Sequence, residues 1–284
     1  SARLPGKVCK KIAGVPALAN SLRRVIRSGL KTILAVPFGQ ERVYLEFLAK
    51  HGFAGKVLVY EGDPESPLHR TAAALQLQET RPKYYVRITH DDILIDQGTM
   101  LDLLAATEAG GYGYGITPAI VEGAGVEIIE TANLLEAAEK HSLPTEFISW
   151  YVRGNVYNPK VLRMEPRKSV ARGYRLTMDY PEDAVVLEAV MRAVGPEATL
   201  DRVVEYLDKH QELLDINRQP TISVYTPVRN GARWIGEALH SSLNNQDIRN
   251  IEHIVVDDCS TDDTLAAVAV YGRDPRLRIV LNDQ

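Results

Sequence analysis

Three runs of branched and aromatic residues, TILAV at 32–36, KVLVY at 56–60 and KYYVRIT at 83–89, are each followed by a segment of helical periodicity. Those segments are QERVYLEFLAKHG at 40–52, ESPLHRTAAALQLQ at 65–78 and GTMLDLLAATEAGG at 98–111. Strand, helix, strand, helix predicts an α/β fold: a mostly parallel sheet with helices on both faces, because parallel strands need crossovers that helices supply. An amphipathic helix precedes the alternation, in VPALANSLRRVIRS at 15–28, with Leu18, Leu22, Val25 and Ile26 on one face.

The middle of the chain is less regular. GYGYGITPAIVEGAGVEII at 111–129 reads as a strand and a loop before a helix at 132–141, and EFISWYVRGNVYNP at 146–159 reads as a strand or an insertion. Regularity returns in YRLTMDYPEDAVVLEAVMRAVG at 174–195, a short strand running into a helix with Pro181 at its start and Gly195 after its end. A helix at 199–209 follows. Beyond LDINRQPT the pattern restarts with ISVYTPV, ARWIGEALHSSLNN, IEHIVVDD, DDTLAAVAVYG and RLRIVLND. The expected organisation is an α/β domain at 1–218 and a partial second Rossmann-like α/β unit at 219–284, too short for a typical α/β domain.

The formal net charge of −4 supplies no positive field that would draw the chain to nucleic acid or anionic lipid. No apolar run approaches the roughly 18 residues that span a bilayer, so no membrane insertion is expected. Cys9 and Cys259 are the only two cysteines and have no partner pattern, which argues against a disulfide framework or zinc site and suits a reducing cytoplasm.

In open α/β sheets ligands collect beyond the carboxyl ends of strands. YYVRITHDDILID places Asp91 just past one strand and RLTMDYPED places Asp179 just past another. Two carboxylates from separate strand ends suit Mg²⁺, which takes hard oxygen ligands together with substrate phosphates. The structural alternative is that Asp179 caps its helix and Asp91 makes an Asx turn. The opening SARLPGK supplies the opposite charge: Arg3 and Lys7 could hold a triphosphate while Gly6 lets backbone approach it.

Four segments in this order resemble the cytidylyltransferases that activate acidic sugars, especially the branch of spore-coat polysaccharide synthesis. They are SARLPGKVCKKIAGVPAL, YVRITHDDILID, GVEIIETANLLEAAEK with the nearby TEF, and RLTMDYPEDAVVLEAVM followed by ELLDIN. In that family a strand leads into the first loop, and this sequence begins at what matches the loop's serine. The resemblance implies that Ser1, Arg3 and Lys7 contact the phosphates of CTP, beside Gly6 in the same nucleotide loop, and that Asp91 and Asp179 bind Mg²⁺. It also matches Arg70 to an arginine common there. Arg3, Lys7, Asp91 and Asp179 form the expected catalytic set, for attack of an acidic sugar's hydroxyl on the α-phosphorus of CTP with release of pyrophosphate. Pairing of two chains as a homodimer is a further implication. The sequence departs from the family pattern at His90-Asp91-Asp92-Ile93-Leu94, which has no proline, and at Phe147, where a histidine is common.

Residues 221–284 resemble the start of a family 2 glycosyltransferase of the GT-A fold. By that match Thr226, Pro227 and Asp257 or Asp258 would hold the base or ribose of a nucleotide-sugar donor. The local alternative makes DDCSTDD a helix-capping turn, with Ser260 or Thr261 as the cap. The metal-binding acids and acceptor-side base of such transferases fall beyond Gln284, so this segment is not expected to transfer sugar unaided. The leading expectation is a CTP- and Mg²⁺-dependent sugar nucleotidyltransferase joined to part of a glycosyltransferase, in surface-glycan assembly. The alternative is a glycosyltransferase whose front domain is a non-catalytic docking or dimerisation module.

Overall fold

The computed structural model describes residues 4, 6–140, 148–153, 160–217, 222–244, 251–272, 274 and 276–282. The chain divides into two compact units, Ser1–Asn217 and Arg218–Gln284. In the first, a hairpin of β1 (Lys11–Ile12) and β2 (Val15–Pro16) precedes α1 (Ala17–Ile26). Its two-residue turn needs positive φ at both positions, and Ala13 (φ 49) and Gly14 (φ 80) supply it.

The alternating segment then forms β3 (Thr32–Pro37), α2 (Glu41–Lys50), β4 (Val57–Gly62), α3 (Pro67–Gln76), β5 (Tyr84–Arg87) and α4 (Gln97–Ala109). Strands β3 and β4 pair in parallel. Leu18 and Leu22 of α1 meet Leu48, Phe53 and Val57 in one apolar cluster, so the periodicity of α1 is spent on packing. Each such side chain, fully buried, contributes about 1.5–3 kcal/mol. Ser66 caps α3 through the His69 amide and Asp96 caps α4 through the Thr99 amide.

A second sheet runs β5, β7 (Glu127–Glu130), β6 (Tyr114–Ile116), β8 (Val161–Arg163), with α5 (Thr131–Lys140) and α6 (Ile148–Arg153) between β7 and β8 in sequence. Strands β6 and β8 are parallel, whereas β7 is antiparallel to both of its neighbours. Gly115 of β6 is dictated by close packing, since a Cβ there would lie 2.2 Å from Thr107 Oγ1 of α4. Among the described residues β3 and β5 are not paired, so the first unit's strands form separate sheets.

Two local expectations are refined. The stretch at 148–153, expected as a strand or an insertion, is a helix: Ile148 and Val152, one turn apart, both enter the cluster around Leu68 and Tyr114, and this packing overrides the β propensity of ISWYV. The expected strand at 174–178 reduces to one bridge, Glu122 with Arg175. Gly123 (φ +90) permits this approach, since a Cβ there would lie 2.5 Å from the Leu176 carbonyl carbon. The unit closes with α7 (Pro181–Val194) and α8 (Leu200–Lys209), whose Val186, Leu187, Val190, Val203 and Leu207 lie in its largest apolar cluster.

The second unit is a parallel sheet in the order β11 (Leu277–Leu281), β10 (Ile251–Asp257), β9 (Ile222–Val228). Helices α9 (Ala232–Asn244) and α10 (Thr264–Ala269) contribute Ile235, Leu239, Leu243 and Val268 to a core with Val255 of β10. Among the described residues no helix is long and apolar enough to cross a membrane.

Candidate active site

Lys7 opens a short 3-10 turn, Lys7–Cys9, that follows Gly6 in left-handed backbone (φ 69). The turn buries the lysine to 5% exposure, yet its ammonium is not unpaired: Nζ donates to Asp91 Oδ2 at 2.7 Å and to Asp179 Oδ1 at 3.1 Å. Two carboxylates far apart in sequence thus share one cation, because the backbone brings their loops together: the Met178 amide donates to the Asp91 carbonyl at 3.1 Å. The hydroxyl of Ser21, on α1, donates to the Asp92 carbonyl at 2.9 Å, and the next three residues, Ile93, Leu94 and Ile95, are buried. Burial holds the loop without a proline.

Neither local alternative describes these acids. The residue that caps α7 is Asp183, whose Oδ2 accepts from the amides of Asp179 and Tyr180, both at 2.9 Å. The hydroxyl of Thr89 donates to Asp92 Oδ2. The side chains of Asp91 and Asp179 are therefore directed to Lys7. Burial alone would raise the Asp91 carboxyl, but the charge and hydrogen bond of Lys7 outweigh it and hold the group well below the usual carboxylate range. The same pairing, against the opposing effect of burial, raises Lys7.

Asp179 is held from its other side by Arg175. Nη2 of that arginine donates to Asp179 Oδ2 at 3.2 Å and to Asp183 Oδ2 at 3.1 Å, Nε donates to Asp183 Oδ1 at 3.1 Å, and Nη1 pairs with Glu122. Among the described residues the cluster sets the two cations Lys7 and Arg175 against the four carboxylates Glu122, Asp91, Asp179 and Asp183, an excess of two negative charges. One acceptor is unused: Asp91 Oδ1 is buried and has no hydrogen-bond partner. A buried carboxylate oxygen left so costs stability unless a ligand meets it.

Other expected residues lie elsewhere. The Arg70 guanidinium donates to the Asp63 carbonyl at 2.7 Å and packs over Gly62, bracing the loop after β4; no contact with Lys7, Asp91 or Asp179 accompanies it. Ser1, Arg3 and Phe147 fall outside the described residues. A cavity of about 440 Å³ is lined by Arg24, Asp96, Arg167 and Asp201 among others, apart from the acid pair. Its Arg167 is already bonded to both of those acids.

In the second unit β9 and β10 each end in a loop, and the two loops cross-link. The Asn230 amide donates to Ser260 Oγ, the Thr261 amide to Asn230 Oδ1, the Gly231 amide to Thr264 Oγ1 and the Ala232 amide to Asp262 Oδ2. Thus DDCSTDD caps the neighbouring helix α9 through Asp262, rather than capping α10 through Ser260 or Thr261. Asp257 is 3% exposed: Oδ2 accepts from the Ser260 amide at 3.0 Å, while Oδ1 is buried without a partner. Asp258 points outward, accepting from Asn282 Nδ2. Thr226 Oγ1 is turned inward onto His253 Nε2 at 2.8 Å, and Pro227 is exposed. His253, which strand-end reasoning misses, is 1% exposed between Thr226 and Ser242. Its place in the alternation Ile251, His253, Val255 was the available signal.

Known proteins align with this division. Residues 1–147 match the family model described as Cytidylyltransferase, and residues 223–284 match that of Glycosyl transferase family 2. The first unit's fold is that of a cytidylyltransferase from Leptospira borgpetersenii serovar Hardjo-bovis: TM-score 0.65 at 22% identity, covering 78% of this chain and 94% of that one. The 4-diphosphocytidyl-2C-methyl-D-erythritol synthase of Anaerococcus prevotii follows at TM-score 0.51 and 13% identity, over 65% of this chain and 93% of that one. Over 96 residues, 31% of this chain, the sequence is 36% identical to a hyaluronan synthase of Pasteurella multocida and 34% identical to a chondroitin synthase of Escherichia coli. The match spans 10% of the length of the former and 14% of the latter.

Proposed function

The chain belongs to the cytidylyltransferase family, and from that premise we propose that its first unit transfers CMP from CTP to an acidic sugar with Mg²⁺. The observation that carries this reading is the shared ammonium: Asp91 and Asp179 are close enough to hold one cation between them. The donor set suits Mg²⁺, with hard carboxylate oxygens, an unpartnered Oδ1 on Asp91 and, among the described residues, two surplus negative charges. Asp91 and Asp179 would hold the ion, which when bound would neutralise charge on the phosphates.

The chain's own groups do the rest. Lys7 is poised to exchange its carboxylate partners for phosphate oxygens, a charge-assisted contact that grows stronger as charge develops on the departing pyrophosphate. The sugar hydroxyl's oxygen forms a bond to the α-phosphorus, the bond from that phosphorus to the bridging oxygen breaks, pyrophosphate leaves with that electron pair, and the hydroxyl proton passes to solvent. No covalent enzyme intermediate is needed. Positioning is the main demand on the protein.

The second unit, in this reading, binds the nucleoside of a sugar donor, with the unpartnered Asp257 Oδ1 accepting from its base or ribose. A glycan polymerase that both activates and transfers sugars follows from the two units together. The test is pyrophosphate release from CTP and Mg²⁺ across a panel of eight- and nine-carbon acidic sugars, with Lys7→Ala expected to lose about 10²–10³ in rate. No release with any sugar, alongside retained nucleotide-sugar binding by the second unit, would assign the first unit a docking role instead.

A further inference from the structure

Asn217, the last residue of the first unit, is 8% exposed, and its side-chain amide is fully directed. Nδ2 donates to the Arg175 carbonyl at 2.9 Å and to Asp183 Oδ1 at 3.0 Å. Those two residues are the ones that restrain Asp179: Arg175 by its guanidinium on Oδ2, Asp183 by accepting the Asp179 amide. We propose that Arg175, Asp183 and Asn217 form a positioning clamp for Asp179, which fixes Oδ2 and leaves Oδ1 directed at the cation site. The proposal rests on the reading of Asp91 and Asp179 as cation-binding acids.

The geometry makes the clamp specific. Arg175 meets both oxygens of Asp183, through Nε and Nη2, a planar fork that a lysine cannot reproduce. Its remaining nitrogen reaches Glu122, so the guanidinium is tied at each edge and has no freedom to follow Asp179 away from Lys7. Asp183 accepts from the amides of Asp179 and Tyr180, from Arg175 and from Asn217, and so joins the start of α7 to the end of the unit. Through Asn217 the point at which the chain leaves the first unit is thereby fastened to the acid pair. The asparagine of the LDIN segment is thus a positioning residue that acts through Arg175 and Asp183.

Outer partners of metal-binding groups typically change metal affinity by about 10–100-fold when removed. The test is Mn²⁺ binding to the full chain with CTP present, read by electron paramagnetic resonance, beside the metal-free melting temperature. Arg175→Lys and Asn217→Ala are expected to weaken Mn²⁺ binding by about tenfold or more and by a smaller factor, respectively. Val203→Ala, a cavity in the apolar cluster, is expected to lower the melting temperature and leave Mn²⁺ affinity unchanged. Wild-type Mn²⁺ affinity in both clamp variants, while Asp179→Asn loses it, overturns the clamp alone. Wild-type affinity in Asp179→Asn as well overturns the cation reading and the clamp with it.

Discussion

Asp91 in the first unit and Asp257 in the second pose the same problem and solve it differently. Each lies at or just past a strand end, and each leaves Oδ1 buried and unpartnered. The second oxygen of Asp91 meets the ammonium of Lys7, whereas that of Asp257 meets the Ser260 amide. A carboxylate paired with a side-chain ammonium can exchange that cation for another, and the pair is suited to charged cargo. A carboxylate fixed by backbone alone can only add a donor, which suits a nucleoside. The physical difference between the units is thus exchangeable charge against a fixed acceptor.

The largest expected effect breaks the first unit alone. Asp179→Asn should lower pyrophosphate release by about 10²–10³, since one of the two cation-binding carboxylates is neutralised while the fold keeps its shape. Nucleotide-sugar binding by the second unit should be unchanged, as measured by titration calorimetry. Loss of both would mean that the two sites are not independent.

Strand-end position is enough to single out Asp91, because the alternation of strand and helix is visible along the sequence; Asp179 follows an expected strand that keeps only one bridge, and Asp257 enters through the resemblance to family 2 glycosyltransferases. The partners are not visible in that way. Arg175 looks like an ordinary strand residue, Asp183 like a first-turn acid, and Asn217 like a residue before a linker; the short-range bonds of Arg175 and Asp183 to Asp179 are completed by contacts 34 to 53 residues distant, Asn217 with Asp183 and Arg175 with Glu122, that no local pattern shows. Arg70 matches a pattern in sequence, yet its guanidinium braces the Asp63 carbonyl. At 148–153 local propensity favours a strand and tertiary packing selects a helix.

A second pair of substitutions sharpens the contrast in stability. Asp91→Asn, without nucleotide, removes one of the two ionic partners of a lysine buried to 5% exposure and should cost about 1–3 kcal/mol in denaturant melts. Asp257→Asn can keep its bond from the Ser260 amide and, among the described residues, has no ionic partner to strand, so its cost should stay below about 1 kcal/mol. The same Asp257→Asn change should weaken UDP binding about tenfold, by removing a charged acceptor. Equal costs in the two melts would remove the distinction between exchangeable charge and fixed acceptor.

The smallest effect separates the units by pH. Burial lowers the pKa of His253, so the folded second unit resists protonation that the unfolded chain accepts. The unfolded state then binds more protons as pH falls below about 6.5, and the stability of β9 and β10 declines from that point downward. Asp91 responds in the same direction but in a more acid range. Its carboxyl is held below the usual range against the effect of burial, so its contribution is present above about pH 4 and fades only as pH falls further. Hydrogen exchange should therefore show the second unit loosening as pH falls below about 6.5 while the loops of Asp91 and Asp179 stay protected down to about pH 4, and His253→Gln should flatten the first response without touching the second. Simultaneous loosening of both would show that the imidazole between Thr226 and Ser242 is not what limits the second unit in acid.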